Sequence, residues 1–220
     1  MADNVTFQST TPATPPSGEV VAAQDIGGVK YQEVIILGLT GDATYQGVRI
    51  DTTTHAIEVI SYAHHEVHSG NHFYMGGYVE LNSAGVLRVK MVTPNTTKWS
   101  HLLFSIKSSG ICTTTLDEGA SGGMTGGSGV TPLNNNRNSG TASGMVFTSG
   151  VTAADSYVTR IENDKWGVDS NKQMTGGGGA RGDELILKQG TTYLRTFTSG
   201  SDNNIIQFRA SWYEHTDKTA

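Results

Sequence analysis

Five of the chain's seven histidines fall between residues 55 and 72, and four of them (His64, His65, His68 and His72) sit inside YAHHEVHSGNHFYMGG at 62–77. Imidazole ligates divalent metals and exchanges protons near neutral pH, so metal binding and acid/base catalysis are the chemistries such a cluster raises first. The zinc-protease pattern H-E-x-x-H is missed by one residue, because His65, Glu66 and His68 read H-E-V-H. His64, His68 and His72 recur at the four-residue spacing of a helix face, but Ser69, Gly70 and Asn71 are turn formers that break a helix carrying all three. On a strand, His64, Glu66 and His68 share one face by alternation, and two imidazoles with a carboxylate between them could hold a divalent ion. In a symmetric trimer a single axial histidine, repeated three times, would make a three-nitrogen site. The simpler reading has the histidines hydrogen-bonding to backbone and aromatic neighbours on an extended scaffold or lining a subunit contact, and it calls for no metal and no cofactor.

Other catalytic patterns are missing. The sequence has no G-x-S-x-G elbow, and its one cysteine, Cys112 in SSGICTTT, lies in no local signature of an activated thiol and reads as a packing residue. Two glycine-rich tracts, EGASGGMTGGSG at 118–129 and TGGGGARGDE at 175–184, lack the G-K-[ST] ending of a phosphate-binding loop. They read as long surface loops, where binding tends to reside on a β-scaffold. The second contains Arg181-Gly182-Asp183, a tripeptide that can act as an adhesion ligand on a loop tip. An enzyme is not the expectation.

The elements that must position these residues follow from a period of two. In VLRVKMV, Leu87, Val89 and Met91 alternate with Arg88 and Lys90; in IIQFRASWYEH, Ile206, Phe208, Ala210 and Trp212 alternate with Gln207, Arg209 and Ser211. HAIEVISYA and KWSHLLFSIK are further strand candidates, and residues 184–214 read as strand, turn, strand, turn, strand. No 3.6-residue period is sustained, so an all-β body with little helix is expected over residues 33–220. Residues 1–32 form a different segment: QSTTPATPPSG at 8–18 holds three of the five prolines and favours extended backbone, while AQDIGGVKYQEV after it pairs Gly-Gly with apolar residues suited to docking.

The formal net charge of −5, with lysine and arginine scattered singly, gives no footprint for nucleic acid. No run approaches the length of a membrane span, and the N-terminus lacks the pattern of a signal peptide, so folding in a cytoplasm without disulfides is expected.

Several long phrases, VTFQSTTPATPPSG, AQDIGGVKYQEV, IDTTTHAIEVISYAHHEVHSGNHFY, VTPNTTKW and NNIIQFRASWYEHTDK, resemble a family of small tailed-bacteriophage virion structural proteins. The resemblance covers about half the chain. It implies a β-sandwich or jelly-roll body with an extended N-terminal arm, and a capsid decoration (cement) protein on the capsid exterior, assembled in the host cytoplasm. It further implies the major capsid protein as partner, a homotrimer as the assembly, and a histidine block that belongs to the fold. On the arm phrases it places Val5, Phe7, Ile26, Val29 and Tyr31 at contacts with the shell or an adjacent protomer. A tail- or baseplate-associated fibre or receptor-binding protein, using the glycine loops, is the alternative, and copy number in the particle separates the two.

Overall fold

A computed structural model describes residues 61–167 and 183–216, together with the backbone of the strands Asp3–Thr6, Val20–Ile26, Val29–Gln32, Leu37–Leu39, Tyr45–Gly47 and Thr175–Gly178. The chain divides into two compact units, residues 1–60 and 61–220.

In the first unit, β1 (Asp3–Thr6), β2 (Val20–Ile26) and β3 (Val29–Gln32) form an antiparallel sheet in that order, and β4 (Leu37–Leu39) pairs with β5 (Tyr45–Gly47). Val5 stands opposite Val21, Ile26 opposite Val29, and Gln24 opposite Tyr31. Only Gly27 and Gly28 separate the paired ends of β2 and β3, a length and composition that suit a two-residue hairpin connection. The expected arm is therefore extended locally but folds back on itself. Phe7 and the proline-rich stretch 8–18 lie outside the described residues.

The second unit opens with helix α1 (Tyr62–Ser69) and continues with β6 (His72–Leu81), β7 (Val86–Val92), β8 (Lys98–Ser108) and β9 (Cys112–Glu118). A long connection carries three short strands, β10 (Ser128–Val130), β11 (Leu133–Asn134) and β12 (Val146–Ser149). The chain then forms β13 (Thr159–Trp166), β14 (Thr175–Gly178), β15 (Leu185–Leu187), β16 (Thr192–Ser199) and β17 (Asn204–Thr216). Every pairing is antiparallel: one sheet runs β10-β12-β7-β16-β9-β13, and the other runs β11-β6-β17-β8-β14, with β15 also on β8.

Setting aside the three strands of the connection and counting β14 and β15 as one position leaves eight. One sheet then holds the first, eighth, third and sixth strands, and the other the second, seventh, fourth and fifth. That order is a jelly roll, two interlocked Greek keys closed into a sandwich. The all-β expectation holds.

The core follows from alternation. Ile206, Phe208, Ala210 and Trp212 of β17 are buried, and they meet Val89 and Met91 of β7, Phe147 of β12 and Tyr193 and Phe197 of β16 from the other sheet. Each such side chain stabilises the sandwich by about 1.5–3 kcal/mol. Two polar residues join the ends. Asn204, 1% exposed, accepts from Ser108 Oγ (2.9 Å) and Gly110 N–H (2.8 Å) and donates to Ile111 O (2.8 Å), tying the β8–β9 turn to the start of β17. Gly167, at φ +85°, lies so near that turn that a Cβ would sit 1.9 Å from Gly110 O, which leaves glycine the only residue for the position.

Two expectations are corrected. The strand expected over HAIEVISYA gives way at its end to α1, whose N-cap is Ser61; residues 55–60 lie outside the described residues. The tract 175–184 is not entirely loop. Thr175–Gly178 forms β14, paired with Ser105–Ser108 of β8, because a ladder to an edge strand is made by backbone groups and needs no side chain. In the other tract Glu118 closes β9 and Ser128 opens β10, leaving 119–127 as the loop.

Candidate functional site

The histidine block splits between two elements. His64 and His68 lie one turn apart on α1, both exposed, with their Nε2 atoms 2.9 Å apart and ring centroids at 4.7 Å. Glu66, two residues from each, is rotated well away from them and buried, where it accepts from Ser69 Oγ at 3.2 Å. The strand face of His64, Glu66 and His68 is thus overturned: the segment is helical. The turn formers end this helix rather than prevent it. Gly70 takes φ +76°, its N–H donates to Val67 O (3.2 Å), and Asn71 N–H donates to Glu66 O (3.0 Å), a Schellman cap. His72 lies beyond it on β6, with Nδ1 2.6 Å from Asn135 Nδ2. Among the described residues no group of three or more His, Cys, Asp or Glu is arranged to hold a metal ion.

A second aromatic cluster, not anticipated from the sequence, crosses one sheet at the parity opposite to its core residues. His101 of β8 stacks on Tyr213 of β17 (centroids 4.5 Å, 17°), and its Nδ1 lies 2.6 Å from Glu184 Oε1, which also accepts from the Tyr213 hydroxyl at 2.6 Å. His215 Nε2 stands 2.7 Å from His101 Nε2, so one ring carries hydrogen there and the other does not. These rings pack and hydrogen-bond to one another across strands.

A concave site lies elsewhere among the described residues, at the edge of the sandwich formed by β13 and β15. A cavity of about 520 Å³ is lined by Leu102, Phe104 and Ile106 of β8, Glu162, Asp164 and Trp166 of β13, Leu185 of β15 and Arg195 of β16, together with Ile161 and Asp183. Its volume falls within the range of small-ligand sites. The register explains the lining. Glu162, Asp164 and Trp166 alternate along β13 and stand opposite Leu116, Thr114 and Cys112 of β9, three buried residues. A strand with carboxylates at core parity does not close the sandwich edge with hydrocarbon, and a cavity with mainly apolar walls and carboxylates on one side results.

Arg195 is 1% exposed. Its Nη1 pairs with Glu162, Nη2 donates to Thr114 Oγ1 at 3.4 Å, and the guanidinium lies over the Phe104 ring at 4.8 Å, while Nε has no hydrogen-bond partner. Trp166 Nε1 donates to the same Thr114 hydroxyl at 3.1 Å, fixing the indole at the cavity wall. Asp164 and Asp183 are exposed at the rim, and Leu102, Ile106 and Arg195 line the interior. Such an arrangement can bind; its carboxylate at the rim, its apolar walls and its ring faces are recognition groups.

Cys112 belongs to the core, where burial pushes its thiol up to about 11 and keeps it protonated. Of the arm residues expected at contacts, Val5, Ile26, Val29 and Tyr31 lie on β1, β2 and β3, and Phe7 lies outside the described residues. Of the tripeptide, Asp183 borders the cavity, and Arg181 and Gly182 lie outside the described residues. The missed signal was legible: in TYLRTFTS, Arg195 occupies the parity of Tyr193 and Phe197, a charge written into a core row. The chain matches no family model, no curated protein and no solved structure.

Proposed function

We propose that this chain is a virion structural protein that decorates and stabilises the exterior of a bacteriophage capsid, as a homotrimer whose N-terminal segment contacts the major capsid protein and adjacent protomers. The observation that supports the reading is the jelly-roll strand order of residues 61–216 beside a separate N-terminal β-unit. Jelly rolls serve as shell-forming and ligand-binding domains, and this one needs no disulfide because Cys112 is its one cysteine. Three linked segments bind by multivalency, each later contact being intramolecular, so weak contacts through Val5, Phe7, Ile26, Val29 and Tyr31 sum to stable decoration.

A second reading, a tail- or baseplate-associated receptor-binding protein, is favoured by the ordered state of the first glycine loop. Thr125 N–H donates to Thr152 Oγ1 (2.8 Å), Ser121 pairs with Ser156, and Gly122, Gly123, Gly126 and Gly127 all take positive φ, so the loop presents a fixed surface. Two measurements test both. Deleting residues 1–32 is expected to leave a soluble folded oligomer that no longer co-sediments with capsids; full occupancy by the truncated protein refutes the arm mechanism. Quantitative mass spectrometry of particles is expected to give hundreds of copies for decoration, whereas a handful at the tail vertex would establish the second reading.

A further inference from the structure

We infer that His64 and His68 of α1 form a two-imidazole chelate for a divalent transition-metal ion that takes its ligands at right angles, copper(II) foremost. The two residues stand four apart on a helix, where side chains of one face are neighbours, and both are exposed. Their Nε2 atoms are 2.9 Å apart. With metal–nitrogen bonds of about 2.0–2.1 Å, nitrogens at that separation subtend about 90° at a shared ion, whereas a tetrahedral site holds them about 3.3 Å apart. The ring centroids agree. Their separation of 4.7 Å is nearer the about 4.5 Å of two rings aimed at one ion than the about 5.2 Å of rings meeting end to end. Donors at right angles suit the square-planar or tetragonal geometry of copper(II), which also heads the usual affinity order for nitrogen ligands. The same contact is a hydrogen bond when one ring carries hydrogen at Nε2 and the other does not. Moving that hydrogen to Nδ1, the other tautomer, frees both Nε2 lone pairs for one ion, so neutral imidazoles bind it with no net proton released.

The helix presents the pair from a fixed backbone. Glu66, between the two in sequence, is 3% exposed. At the C-terminal turn Asn136 Nδ2 donates to His68 O at 3.1 Å, Asn134 Nδ2 donates to Gly70 O at 2.8 Å, and Glu214 N–H of β17 donates to Asn71 O at 3.0 Å. The turn that carries His68 is thus tied to β11, to the connection after it and to β17, and binding has only side-chain torsions left to fix. Two donors fill two neighbouring positions and leave the others to water or to a donor from another molecule, unlike the four protein ligands of a closed structural site. The second close imidazole pair, His101 and His215, is engaged otherwise: His101 stacks on Tyr213 and its Nδ1 lies 2.6 Å from Glu184 Oε1. This inference does not depend on where in a particle the chain resides.

The test titrates the full chain at neutral pH with copper(II) sulfate, followed by calorimetry, and then with zinc(II) sulfate. One saturable copper(II) site with a Kd at or below about 10 μM is expected, with zinc(II) at least about tenfold weaker. EPR of the copper(II) form is expected to show a tetragonal centre with two imidazole nitrogens, and paramagnetic broadening in NMR to centre on the amides of α1. His64→Gln and His68→Gln, each placing a good helix former at an exposed position, are expected to lose at least about tenfold in affinity and one imidazole from the spectrum. His215→Gln is expected to leave the affinity unchanged. Circular dichroism checks that each variant is folded. The inference is overturned by the absence of a saturable copper(II) site, by native affinity in either α1 variant, or by broadening centred away from α1. Loss of the site in His215→Gln, or zinc(II) binding as tightly as copper(II), overturns it equally.

Discussion

Removing the carboxylate of Glu214 should unfasten the long β9–β13 connection and weaken the whole sandwich. Glu214 occupies a core-parity position on β17 and is 2% exposed. Its Oε1 accepts from Ser143 Oγ (2.5 Å), Trp212 Nε1 (3.0 Å), Gly144 N–H (3.1 Å) and Met145 N–H (3.3 Å), and Oε2 accepts from Gly144 N–H at 3.0 Å. In Glu214→Ala, Trp212 Nε1 and Met145 N–H keep Ser143 Oγ as an acceptor (3.2 and 3.0 Å), but Gly144 N–H loses both oxygens. Gly144 is exposed, so its N–H can turn to water, and the cost lies in the charge-assisted bonds that Ser143, Trp212 and Met145 lose at a buried carboxylate, about 3 kcal/mol together. The expected loss is about 3 kcal/mol, a large share of the 5–15 kcal/mol typical of a domain. Glu214→Gln keeps one oxygen acceptor and the shape, so about 1 kcal/mol is expected. Urea unfolding followed by tryptophan fluorescence measures both, and amide exchange at Gly144 and Met145 shows whether the connection opens. The reasoning fails if Glu214→Ala stays within about 1 kcal/mol of the native chain, or if Gln is as damaging as Ala. Faster exchange at Gly144 with an unmoved urea midpoint would also refute it, since the connection could then detach without cost to the core.

At the other end of the sandwich, Asn204→Ala removes the acceptor of Ser108 and Gly110 and the donor to Ile111; a loss of about 3 kcal/mol is expected in urea, and Asn204→Asp, which keeps only the acceptor half, should fall between. Burial raises Cys112 from 9.0 to about 11, so at pH 8 its native thiolate fraction is about 100-fold below that of the unfolded chain, and DTNB should label it only after denaturation; stoichiometric labelling of the native protein refutes its place in the core. The same shift fixes a sign. The folded pKa exceeds the unfolded one, so its contribution is complete below pH 9 and is lost as pH rises towards 11, with Tyr193, pushed from 10.0 up to about 12 mainly by burial, acting in the same direction above it. Urea midpoints at pH 8 and pH 10 should differ accordingly, with the alkaline sample weaker.

Strand content was legible because alternation is a local property. Val89 and Met91, or Phe208 and Trp212, face the core for the reason the sequence suggests: apolar side chains two apart on a pleated backbone share one face. Topology is not local, and nothing in KWSHLLFSIK says that it lies between β17 and β15. The helix at 62–69 was missed because two turns carry too few residues for a 3.6 period to emerge, and because Gly70 was read as a breaker when its left-handed φ makes it a stop. β14 was missed because glycine carries no side-chain signal, while its pairing depends on the backbone of β8. The cavity escaped notice for a different reason. RIENDKW alternates as clearly as any strand, but its core-parity residues are Glu162, Asp164 and Trp166, and a search for apolar alternation passes over it.

Three buried polar side chains at core parity now separate by their bonds. Glu214 accepts at both oxygens, and Asn204 uses both its oxygen and its nitrogen; each joins a turn or connection to β17, and each has every polar atom matched. Such groups are explained by the fold they hold, since a fully satisfied buried network rigidifies the elements it joins. Arg195 has a charged partner in Glu162 and still leaves Nε unmatched, at an atom closed off from the cavity that the side chain borders. Replacing a buried ion pair by packed hydrocarbon is often neutral or stabilising, so folding alone gives little reason to keep this one. Among the described residues Arg195 Nε is one of three buried side-chain atoms left unmatched, with Ser100 Oγ on β8 and Ser201 Oγ after β16, so the mismatch beside the cavity is shared by positions far from it and is explained by local packing.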